Sequence, residues 1–194
     1  MSRYDFTSRS LYVGVHDKKA PENKLLILYL QDLFSLEEAA VTHLFALLTP
    51  WTITHEYAHH LRHAVGVTGP SPWAEEQAAH LLPAAWPHCM SEGHRAQADA
   101  LLTQALAGLS RHTQLAPDSH ILTCHPALAL SPAVTESPAR RQLIINHFNT
   151  YGSSPSGATL ADYLFLQLGW TLLALRSPCP FPLTQWLREY LGNS

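Results

Sequence analysis

The stretch Thr49-Pro50-Trp51-Thr52-Ile53-Thr54-His55-Glu56-Tyr57-Ala58-His59-His60-Leu61-Arg62-His63-Ala64-Val65-Gly66 decides how this chain folds. Threonine followed by proline suits a helix start, because proline at the first helical position gives up an N–H that has no partner there. Gly66 suits a helix end, where the chain turns through a left-handed residue. Together they predict one helix over 50–65. Residues four apart on a helix are offset by only ~40° and one turn in height. His55 and His59 therefore project from one face. Ile53, Tyr57, Leu61 and Ala64 form an apolar stripe nearly opposite them. The expectation is a helix that packs by its back and turns its histidines toward a cleft.

His55-Glu56-Tyr57-Ala58-His59 is an HExxH pattern. Two histidines at this spacing can bind one zinc ion, Zn2+, and Glu56 lies one step round, where a carboxylate can act as general base without ligating the metal. A third ligand follows a short Gly/Pro turn over 66–71 that makes the next helix an antiparallel neighbour. That helix begins at Ser71-Pro72 and carries Trp73-Ala74-Glu75-Glu76-Gln77-Ala78-Ala79-His80. Glu75 completes a His-His-Glu set and leaves the fourth position for water, the mark of a catalytic zinc site. Glu76 is the alternative third ligand. A plainer reading also exists, since acids in a first helical turn favour the helix dipole without any metal. His63 and His80 are candidates to tune the metal, and His147 and Tyr151, one turn apart, are candidate donors to an oxyanion.

These residues resemble the gluzincin metallopeptidases, in which HExxH is followed by a glutamate on a later helix. The closer resemblance is to the predicted zinc-protease family that includes YjaZ, whose pattern is HEYxHxxR followed by EGLAE. This chain reads His55-Glu56-Tyr57-Ala58-His59-His60-Leu61-Arg62 and then Glu75-Glu76-Gln77-Ala78-Ala79, so Glu76, Gln77 and Ala79 depart from the family's second motif. The resemblance spans roughly residues 49–83. It implies a zincin-like active-site helix, zinc on His55, His59 and Glu75, Glu56 as general base, and a peptide or protein substrate. The departures support a rival expectation, a metal-binding regulatory or interaction module without peptidase turnover. A di-iron bundle would need a second ExxH on another helix, and Glu92-Gly93-His94 has the wrong spacing.

Outward from this centre, the chain predicts an α+β fold, predominantly helical, with a small N-terminal sheet. A single domain over 1–194 divides into a strand-rich start (1–34), metal-site helices (35–114), a proline-rich connection (115–137) and C-terminal helices (138–194). Helices are expected near 36–48, 50–65, 72–82, 92–110, 138–151, 160–175 and 183–191. Ser35-Leu36-Glu37-Glu38 reads as a capping box. Leu11 to Val15 and Leu25 to Leu30 read as strands that pair, although the second is equally readable as a helix start.

Composition narrows the partners. The 13 histidines outnumber the 12 lysines and arginines, and the formal net charge is −3. No basic stripe exists to neutralise phosphates, which argues against nucleic acid. The most apolar run, Tyr163 to Leu175, is too short for the ~20 residues a bilayer needs, so no membrane span is expected. Three cysteines without a CxxC spacing, and a polar start to the sequence, lead to the expectation of a reducing, cytoplasmic location.

Overall fold

A computed structural model describes residues 3–5, 7–12, 21–112, 142, 145–147, 149–150 and 158–176. These are predominantly helical. Strands β1 (Arg3–Asp5) and β2 (Ser10–Tyr12) pair antiparallel, Tyr4 opposite Leu11. Helices follow at α1 (Pro21–Phe34), α2 (Glu38–Ala64) and α3 (Pro72–Leu81), then a 3-10 segment at Leu82–Cys89, α4 (Glu92–Leu109) and α5 (Ala158–Arg176). No helix of the described residues is long and apolar enough to cross a membrane. The expected connection over 115–137 and helix over 183–191 lie outside the described residues.

Among the described residues, Leu11 and Tyr12 pair with Tyr4 and Arg3 of β1, not with Leu25 to Leu30, which is helix rather than strand. Buried Ile27, Leu30, Leu33 and Phe34 recur at helical spacing, so α1 buries one face while Leu25, Leu28 and Tyr29 stand in solvent. The capping box at Ser35 does not form. Ser35 takes a left-handed φ of 53° to end α1, and α2 begins after Glu37 without a side-chain cap. The expected helix start at Ser71 is capped, and Ser91 also caps a helix, each hydroxyl accepting from the backbone N–H three residues on, at 3.2 and 3.3 Å.

The larger correction concerns Pro50. The expected pair of helices, 36–48 and 50–65, is one helix of 27 residues with Pro50 inside it. Proline in a helix interior costs about 3 kcal/mol through its missing N–H and its clash with the preceding turn. Hydroxyls of Thr49, Thr52 and Thr54 donate to the carbonyls of Phe45, Leu48 and Pro50 at 2.8, 3.2 and 2.7 Å, giving the flanking turns extra bonds. Packing holds the helix on both sides of the proline: Val41 and Leu44 are buried before it, Trp51 and Ala58 after it. Tertiary burial thus outweighs a local stop signal.

The main core joins α1, the first half of α2, α4 and α5 through Leu33, Phe34, Leu44, Leu102, Leu109 and Leu172. A second, smaller cluster (Trp51, Ala58, Ala79, Leu81, Ala84, Ala174) lies where the second half of α2 meets α3 and α5. Arg176 at the end of α5 bonds Asp99 of α4 through Nε and Nη2 at 2.6 and 2.7 Å, which holds the Asp99 carboxyl below its ordinary range. Gly108 lets α4 approach α1, since a Cβ there would overlap the Phe34 carbonyl. Gly108→Ala is therefore expected to destabilise the fold by about 1–3 kcal/mol, the usual cost of overpacking. Urea unfolding of the variant beside the parent measures it, and an unchanged midpoint would contradict the close approach.

Candidate metal centre

The second half of α2 presents His55, His59 and Arg62 on one face, and α3 runs against that face with Glu75 and Glu76. Gly66, with φ 73°, ends α2 in a Schellman turn: Gly66 N–H donates to His63 and Val67 N–H to Arg62, at 3.1 and 2.9 Å. The Ser71 cap then starts α3 directly alongside.

Three side chains converge. His55 Nε2 and His59 Nε2 are 3.3 Å apart, and the Glu76 carboxylate lies 3.2 Å from the first and 3.3 Å from the second. One donor atom from each falls within 4.8 Å of the others, a group that can hold a metal ion. Ligands ~2.0–2.2 Å from a tetrahedral zinc lie ~3.3–3.5 Å from one another. The two imidazole nitrogens stand at that spacing, and Glu76 meets each of them through a different oxygen, Oε2 for His55 and Oε1 for His59.

Glu75, expected as the third ligand, is not in this group. Its carboxylate is engaged from four directions. Arg62 donates through Nε and Nη2, both at 2.9 Å, Gly69 N–H donates at 2.6 Å, and His59 Nδ1 lies 3.3 Å away. Glu76, the alternative, takes the place beside the histidines. Glu75 instead holds His59 by its far nitrogen, an arrangement that orients an imidazole and leaves Nε2 for a metal. Gly69 permits the approach, because a Cβ there would lie 2.5 Å from the Glu75 backbone nitrogen.

The expected orientation of α2 is also overturned. Its histidine face is the buried face: His59 is 4% exposed and Arg62 3%, whereas Tyr57 of the apolar stripe is 49% exposed and stacks on His60. The polar face packs inward because α3 supplies carboxylates to meet it, which the phase of α2 alone does not show.

The remaining candidates separate. Glu56 Oε2 accepts the Tyr4 N–H at 2.7 Å, so β1 grips the carboxylate. His63 faces Tyr4, whose hydroxyl is 3.1 Å from Nδ1, rather than the donor group. His80 is buried against His55, with ring centres 5.2 Å apart. His147 is outside the donor group; Asn149, two residues on, accepts from Trp73 N–H at the start of α3. Tyr151 lies outside the described residues. Tyr4 and Gly69 were missed from sequence: a backbone N–H carries no residue signature, and one glycine in a turn looks like any other.

The electrostatics follow from the crowding. Burial disfavours the charged form of His59, but hydrogen bonds to Glu75 and Glu76 outweigh it and push its pKa up to about 9 in the metal-free protein. Burial likewise opposes ionisation of both glutamates. Hydrogen bonds from His59, Arg62 and Gly69 nevertheless bring Glu75 down to about 2, and those from His55 and His59 hold Glu76 well below the usual carboxylate range. His80 is pushed well below the usual imidazole value, first by burial and then by repulsion from His55. Comparisons with protein-family models, curated proteins and solved structures find no significant match to this chain.

Because the folded pKa of Glu75 is depressed, its stabilising contribution is complete above the unfolded value of 4.5 and is lost as pH falls toward about 2. Glu75→Gln in the metal-free protein should flatten the dependence of the urea midpoint on pH across that window, leaving the slope due to the other depressed carboxylates, Glu76 and Asp99. A slope as steep as the parent's would contradict the assignment. Arg62→Ala should cost about 3–5 kcal/mol, because it strips a buried carboxylate of its main counter-charge.

Proposed function

We propose that this protein is a zinc-dependent hydrolase of peptide bonds, with the metal on His55, His59 and Glu76 and with Glu56 as general base. The observation that carries the reading is the cluster formed by the HExxH helix and its neighbour: His55 Nε2 and His59 Nε2 are 3.3 Å apart, with Glu76 Oε2 3.2 Å from the first and Glu76 Oε1 3.3 Å from the second. Bound there, zinc supplies Lewis acidity.

The chain's own residues supply the rest. Glu75 orients His59, and Arg62 fixes Glu75. The Tyr4 N–H aligns the Glu56 carboxylate through Oε2, while Oε1 makes no hydrogen bond among the described residues. In this reading Glu56 takes the proton of the attacking water and passes it to the leaving amine. Peptide as the substrate class comes from the resemblance at His55 to Arg62, and so does a zincin-like role for α2. A cytoplasmic location belongs to the same proposal and rests on cysteine usage.

One observation favours a second reading, a metal-bound regulatory or interaction module without turnover: Glu56 is already engaged by β1. Metal analysis of the purified chain beside variants separates the two. About one zinc per chain is expected, lost in His55→Ala and His59→Ala. Glu75→Gln should keep zinc with roughly 10–100-fold weaker affinity, as for a residue that orients a ligand. Glu56→Gln should keep zinc and lower cleavage of a peptide library by about 10²–10⁴-fold. Absence of zinc from the parent protein would sink the hydrolase reading. Zinc with no difference in cleavage between parent and Glu56→Gln would favour the module.

A further inference from the structure

We propose that His80 is a fourth protein ligand of this metal centre, closing it as a set of His55, His59, Glu76 and His80. The inference rests on the metal-binding part of the reading above and goes beyond it. Glu76 and His80 stand four apart on α3, as His55 and His59 do on α2. The antiparallel helices match them in order. Arg62 meets Glu75, His59 meets Glu75 and Glu76, His55 meets Glu76, and His80 comes next, against His55.

The surroundings of His80 point to a missing partner. The residue is 5% exposed, and neither Nδ1 nor Nε2 has a hydrogen-bond partner among the described residues. Its walls are the rings of Trp51, Trp170 and His55, with centres 5.6, 5.0 and 5.2 Å away. The indole nitrogens of Trp51 and Trp170 are donors that are themselves unpartnered among the described residues. A buried donor and acceptor left unmade is a cost that an apolar side chain in the same space would avoid. Metal ligation removes that cost for one nitrogen. His80 lies outside the group of donor atoms within 4.8 Å, so its ring must turn toward the ion to ligate. Four protein ligands on a tetrahedral ion leave no position for water. The resting centre is then closed, and any hydrolysis requires His80 to swing away.

X-ray absorption of the zinc-loaded protein counts the imidazoles directly, and chelator competition gives the affinity. The parent is expected to show three imidazoles and His80→Leu two, with zinc affinity falling by more than about 100-fold, beyond the loss typical of a residue that merely orients a ligand. Metal-free His80→Leu should resist urea at least as well as the parent, since leucine removes two buried ring nitrogens that have no partner among the described residues. Two imidazoles in the zinc-loaded parent, or an unchanged affinity in His80→Leu, would overturn the proposal while leaving the three-residue metal site standing. A parent chain that takes up no zinc would overturn both. The imidazole count on the parent decides the matter even if the variant does not fold.

Discussion

Arg62 and Glu75 face each other across the contact between α2 and α3, both removed from water. A buried charge is tolerable only when paired and hydrogen-bonded, and this pair meets that condition through two bonds from the guanidinium and one from Gly69 N–H. With Glu75 anchored, its Oε1 lies beside His59, and the next residue on α3, Glu76, falls between His59 and His55. The ion pair thus sets the register of the two helices, and the register brings the donor atoms together. Remove it, and the histidines would face a helix with no reason to keep its present height.

The same pair explains why a polar face is buried here. α2 offers two faces below Pro50, one apolar with Ile53, Tyr57 and Leu61, one polar with His55, His59 and Arg62. Hydrophobicity alone selects the first for burial. The structure buries the second and leaves Tyr57 in solvent, with Leu61 only partly covered by the small cluster of Trp51, Ala58 and Ala79, and the compensation comes from α3, which meets each polar group with a carboxylate. Among the described residues, neither ring nitrogen of His80 in this seam has a hydrogen-bond partner.

Continuity of α2 through Pro50 matters for the same geometry. The half before Pro50 is anchored in the main core by Val41 and Leu44, and the half after it carries the histidines. A break at Pro50 would let the histidine segment pivot; an unbroken helix ties its height and rotation to α1, α4 and α5. On the far side, β1 adds a contact through Tyr4, which reaches both Glu56 and His63.

Local chemistry made much of this legible in the sequence. HExxH on a helix places two imidazoles on one face whatever surrounds it, and Gly66 and Ser71 mark helix ends through bonds that span three to five residues. Those features depend only on neighbours in the chain. Which face of α2 would be covered, whether Pro50 would interrupt it, and which of two adjacent glutamates would reach the histidines were decided by tertiary structure. Helix phase fixes the direction of a side chain about its own axis, but not where a second helix lies along that direction. Glu75 and Glu76 differ by one residue, about 100° of rotation, and both are acids in a first or second helical turn. Only the height and rotation of α3, set by Arg62, Gly69 and the core behind Trp73, send one to the guanidinium and the other to the histidines.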